Sequence, residues 1–173
     1  MVDHAIVEII KVLIAANQTT LLQDLEDQGV AREIAHLTKS TLTPPTDYYI
    51  VAIGASESDE AEDRYVSGAS YNVTVKVADA ALMTPGEDEA YENMHMNFKL
   101  FCNRIAKLIR DQSSFSDAAG DVKFQLKRSE SGDKRIRKTE RELSRDMGED
   151  MFAMLIALIQ FDVQQRCGFN YGL

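Results

Sequence analysis

Nine consecutive apolar residues at 151–159, MFAMLIALI, constrain this chain more than any other feature. The run is far shorter than the roughly 20 residues that a membrane-spanning helix needs. It is apolar on both alternating sets, which an extended strand tolerates only when both of its faces are covered. A closing strand over 151–163 is therefore predicted, either central in a sheet or with one face against another subunit.

The rest of the chain supplies the elements around that strand. Val2, Ile6, Ile9, Leu13 and Ala16 step by four and three, which predicts a helix buried over a wide face. Thr20 and Gln23 have capping-box spacing and Gly29 stands at a C-terminal position, so a second helix or a kinked continuation is expected between them. Residues 30–37 are read as a further turn or two of helix, until Pro44 and Pro45 forbid it. Beyond the prolines, residues 48–53 are aromatic and β-branched, and Tyr71, Val73, Val75 and Val77 alternate with polar neighbours, which predicts two strands with one wet face. The clearest helix follows: Tyr91, Met94, Phe98, Phe101, Ile105 and Leu108 step 3, 4, 3, 4, 3. Acids at 87–89 and bases at Arg104, Lys107 and Arg110 complement its dipole, each by about 0.3 to 1 kcal/mol. Val122, Phe124 and Leu126 alternate with Lys123, Gln125 and Lys127, and the turn residues Ser131, Gly132 and Asp133 suggest a hairpin with the charged return segment.

The expected class is α+β, a mostly antiparallel sheet packed by a long amphipathic helix, with N-terminal helices and a charged β-hairpin arm. One domain over 1–173 is expected, with an N-terminal helical part at 1–43, a sheet-plus-helix core at 47–165 and the arm at 123–145. Residues 1–12 carry Asp3, Glu8 and Lys11 among apolar positions and lack a cleavage site, so no signal peptide is expected. Two cysteines, Cys102 and Cys167, without a CxxC pattern, suit a reducing compartment.

Motifs for chemistry are missing. The sequence has no Gly-rich phosphate loop, nucleophile elbow or HExxH, so the expectation is a protein that is not an enzyme, with no cofactor and no metal. His4, His36 and His95 stand in three separate segments and are read as structural or surface residues. Cys102 lies beside the apolar row of its helix, the place of a small hydrophobe.

Charge is polarised. Segment 123–145 holds nine bases against four acids, +5, while the net charge of −9 leaves −14 for the rest of the chain. The basic segment admits three readings: a solvated hairpin, a nucleic-acid contact or a partner-binding arm. Interspersed acids and the absence of aromatics between Lys127 and Arg145 weigh against nucleic acid. Glu57, Asp59, Glu60, Glu62 and Asp63 form an exposed acidic loop without the residue order of a calcium loop.

This order of elements, with the strand at 71–77, the helix at 91–108 and the finish "MFAMLIALIQFDV", resembles the tail-terminator and tail-completion proteins of long-tailed bacteriophages. The resemblance spans 48–163. It implies a structural virion protein that assembles in the host cytoplasm as a homo-oligomer, a hexameric ring ending the tail tube and joining it to the head. The implied partners are the tail tube protein and a head-completion or connector protein, with genomic DNA only as cargo and no membrane. Another head-tail connector or tube-type phage protein, or a nucleic-acid-binding protein using 123–145, is the alternative. A ring needs two different contact patches on each subunit. The expected pair is the acidic loop of one subunit against Lys134, Arg135, Arg137, Lys138 and Arg141 of its neighbour.

Overall fold

The computed structural model describes residues 5–27, 30–31, 33–36, 48–57, 69–83, 86, 88–120, 122–128, 136–147 and 150–166. In chain order these form α1 (Ala5–Ala16), α2 (Gln18–Leu22), β1 (Glu26–Asp27), β2 (Val30–Ala31), β3 (Glu33–His36), β4 (Tyr48–Glu57), β5 (Ser70–Met83), α3 (Asp88–Asp111), β6 (Phe115–Ser116), β7 (Lys123–Leu126), β8 (Ile136–Met147) and β9 (Asp150–Arg166). The fold is α+β: helices on a curled sheet that is antiparallel except where β3 joins β4. β1 and β2 form a separate small ladder.

The apolar run behaves as its length and composition require. β9 lies inside the seven-stranded sheet, with β5 along one edge from Met83↔Met151 to Ser70↔Gln164. Its alternation sorts the side chains into two sets. Ala153, Leu155, Ala157, Ile159, Phe161 and Val163 are buried, and in register with them stand Val73, Val75 and Val77 of β5. The helices cover this face: Ile6, Ile10 and Ile14 of α1 and Phe98, Phe101, Cys102 and Ile105 of α3 belong to the same core cluster. Tyr49 of β4 stacks on Phe101 with ring centroids 4.3 Å apart, fixing the helix over the strand.

α3 follows the predicted stepping, and Met94, Phe98, Phe101, Ile105 and Ile109 are all buried. The second helix differs from its expected form. α2 begins at Gln18, before the supposed cap, its N-cap Asn17 makes no side-chain cap, and it ends by Asp24, whose φ of 59° turns the chain into β1. Arg104 of α3 satisfies its end, donating to the carbonyls of Leu21 and Gln23 at 3.0 and 2.6 Å. Val30–Ala31 and Glu33–His36 are strands rather than helix, so the N-terminal part is not wholly helical. Ladder bonds from β4 to β3, Glu33↔Tyr48 to His36↔Val51, override the helical composition of E-I-A-H.

The expected hairpin within 123–145 is also corrected. Among the described residues no ladder joins β7 to β8; both lie along the second edge of β9, one after the other. Lys123↔Arg166 to Leu126↔Val163 is followed by Ile136↔Phe161 to Met147↔Asp150, and the backbone N–H of Lys127 donates to the Asp162 carbonyl between them. The hairpin here is β8 with β9. Its reason is physical: β9 offers a 17-residue edge with an apolar run at 151–159, whereas a self-paired charged arm would have no apolar face to bury.

Candidate functional site

β8 is the element in which charge, exposure and sheet geometry meet. Pairing to β9 gives its alternating side chains opposite sides, and the mixed charges of the sequence separate. Ile136, Lys138, Glu140 and Glu142 stand opposite buried members of β9, on the face that carries α3. Arg137, Thr139, Arg141 and Leu143 stand opposite Gln160, Leu158, Ile156 and Met154, on the other face.

On the helix side, polar contacts tie β8 to α3. The Tyr91 hydroxyl donates to Glu142 Oε1, and His95 Nε2 comes within 3.5 Å of Glu142 Oε2. That approach is within ion-pairing range but lacks hydrogen-bond geometry, which leaves the buried Nε2 atom without a hydrogen bond. The Tyr91 and His95 rings meet edge to face at 4.5 Å. Hydrogen bonding to Glu142, then burial and the negative charge of that carboxylate, raise the Tyr91 pKa above its usual 10.0. Lys138 donates to Asn103 Oδ1 at 2.6 Å and pairs with Glu140 at 2.8 Å. Between these contacts a cleft of about 440 Å³ opens over Phe98 and Leu155, rimmed by His95, Lys99, Glu140, Glu142 and, between the two carboxylates, Arg141 of the same strand.

The arrangement does not favour nucleophilic chemistry. Cys102 is wholly buried beneath this seam, and burial, with the nearby Glu140 and Asp79, outweighs Lys138 and pushes its thiol up to about 12. A thiol held there stays protonated through the neutral range. Among the described residues no group of three His, Cys, Asp or Glu side chains could hold a metal ion. No described helix is long and apolar enough to cross a membrane.

The expected contact residues divide. Arg137 and Arg141 are exposed on the face away from α3, whereas Lys138 points the other way and is engaged by Asn103 and Glu140. Glu57 is exposed at the end of β4, where its charge and the burial of Tyr71 raise the pKa of that tyrosine, burial contributing more. Register places Glu57 opposite Tyr71 and so level with Val163, three strands from β8, about 14 Å across at the usual strand spacing. Glu57 and the arginines are not brought together within one chain. Asp59, Glu60, Glu62, Asp63, Lys134 and Arg135 lie outside the described residues.

Sequence reasoning missed the seam residues Tyr91, His95, Asn103 and Glu142, and it counted charges in 123–145 without sorting them by face. The signal was present: read with period two, 136–143 gives I-K-E-E on one side and R-T-R-L on the other. A scan against known protein families finds no matching family for this chain, and a search of curated proteins finds no match.

Proposed function

We propose that the chain is a structural virion protein of the tail-terminator type, copies of which close a hexameric ring that ends the tail tube and joins tail to head. The observation that carries the reading as an assembly subunit is the second side-chain set of β9. Met154, Ile156 and Leu158 are apolar, half-buried and outside the core cluster that the helices cover. Apolar surface left outside a core in this way marks a surface for association. The element order, strand pair, long helix and apolar closing strand, supports the tail-terminator type through the resemblance stated above.

In this reading the protein is not an enzyme, assembles in the host cytoplasm and resides in the tail neck of the virion. Its partners are other copies, the tail tube protein and a head-completion or connector protein, with DNA passing only as cargo. At the subunit joint the acidic segment from Glu57 through Asp59, Glu60, Glu62 and Asp63 faces the basic residues of a neighbour. Lys138 is occupied within its own chain, so Arg137 and Arg141 are the reversible partners there.

Size-exclusion chromatography with light scattering, with and without purified tail-tube protein, tests the reading. A ring that co-elutes with tube protein is expected. A chain that never binds the tube removes the tail-terminator assignment. One observation favours a second reading, a nucleic-acid contact: Arg137 and Arg141 share one face of β8 with only Thr139 between them and no acid, which offers phosphates two cations. Titration of labelled duplex and single strands at two ionic strengths distinguishes it, since such binding weakens steeply with salt.

A further inference from the structure

β9 has two apolar sides, and the described helices cover one. On the side that the described helices do not cover, Met154, Ile156 and Leu158 run in a line, flanked in register by Ala80, Ala78 and Lys76 of β5 and by Leu143, Arg141 and Thr139 of β8. The alanines are small and buried, at 1% and 6% exposure, so the apolar line is bordered by a low shelf on one flank. On the other flank Leu143 is 53% exposed, on the same strand as the exposed Arg137 and Arg141. Lys76, Arg137 and Arg141 bring positive charge to this face, and Asp162 on the same face accepts a hydrogen bond from Asn72 at 2.8 Å. The chain as a whole carries −9, so its remaining surface is strongly acidic.

We infer that this face of β5, β9 and β8 is a self-association surface that receives an acidic surface of a second copy. The apolar line supplies the buried area, and Arg137, Arg141 and Lys76 select and orient the incoming carboxylates. A second copy fits better than nucleic acid because phosphates gain nothing from Met154, Ile156 and Leu158, and the net charge of the chain repels a polyanion. Contact between a basic patch and a different, acidic patch is heterologous, the type that propagates into rings. The inference rests on the reading of the chain as an assembly subunit and names one of its two contact surfaces.

The experiment compares the association constants of four forms by sedimentation and light scattering at low ionic strength. They are the wild type, the Arg137→Glu/Arg141→Glu double variant, Leu143→Ser, and Lys99→Glu/Lys107→Glu on the exposed side of α3 as control. The wild type is expected to associate, the arginine variant to weaken by about tenfold or more, Leu143→Ser by a smaller factor, and the control to keep wild-type association. Far-UV circular dichroism at high dilution checks that the arginine variant melts as the wild-type monomer does, because both substitutions lie on exposed positions. A wild type that stays monomeric at every concentration overturns the inference. It also falls if the α3 variant loses association while the arginine variant keeps it, or if the arginine pair proves to matter only for binding duplex. Self-association through this face without tube binding breaks the tail-terminator assignment and leaves this inference standing.

Discussion

Within residues 151–159 the two sides of β9 are equally apolar and meet different fates. Ala153, Leu155, Ala157, Ile159 and Phe161 disappear beneath α1 and α3, while Met154, Ile156 and Leu158 between them stay half-buried outside the buried core cluster. Side-chain chemistry cannot account for the difference; the helices can, since both lie on one side of the sheet. A strand central in its ladder is thus not a strand that the described helices cover on both faces. The sequence motivates two covers for β9, and the described fold provides one.

The comparison breaks most readily by truncation. Phe101→Ala, which removes the ring stacked on Tyr49, should lower stability by about 3 to 5 kcal/mol, and Ile159→Ala by about 2 to 5. Ile156→Ala on the open side should cost the dilute chain only about 1 kcal/mol or less while weakening association. Urea denaturation at low protein concentration measures all three. Equal losses at Ile156 and Ile159 would mean that both faces are equally covered in the single chain.

A subtler difference lies in proton binding on the covered side. The Cys102 thiol ordinarily titrates at 9.0 and is pushed up to about 12 by burial. Its contribution is fully present below pH 9 and is lost as pH rises toward 12, because the unfolded chain releases a proton that the folded chain retains. Stability should fall over that window by about 1.4 kcal/mol per pH unit from this group, and a Cys102→Ala variant should lack that part of the slope. At neutral pH iodoacetamide should modify Cys102 only after denaturation, as mass spectrometry can show.

Smaller effects belong to the seam between α3 and β8. Tyr91→Phe removes the hydrogen bond to Glu142 and should cost at most about 1 kcal/mol, since the pair is exposed. Least of all should be Glu57→Lys, which stability measurements should find within about 0.5 kcal/mol of wild type. Its effect, if the subunit joint is as proposed, falls on assembly rate at low salt. Assembly kinetics of the combined reversal, acids to Lys with Arg137 and Arg141 to Glu, should recover part of what the arginine variant loses.

Much of the fold could be read from local pattern. The stepping of Tyr91 to Leu108 and the alternation of Tyr71 to Val77 each report a periodicity that burial imposes residue by residue. Non-local choices were not legible. Glu33 to His36 became strand because a neighbour reached through the ladder, and Lys123 to Leu126 paired with β9 rather than with the segment beyond its turn signal. The candidate site shared that fate: Arg137, Lys138 and Arg141 are adjacent in sequence, but only the partner strand decides which of them meets solvent.

The in-line placement of β7 and β8 has a practical corollary. Leu126 is held opposite Val163 and Ile136 opposite Phe161, so the nine residues 127–135 correspond to a single residue, Asp162, on β9. Both ends of that stretch are pinned by ladders that do not depend on its length. In general, lengthening a flexible connection between two fixed points costs only about 0.6 kcal/mol per doubling. The position is therefore a natural docking point for an inserted epitope or fluorescent label, with which the assembled particle could be imaged while the register of the sheet stays unchanged.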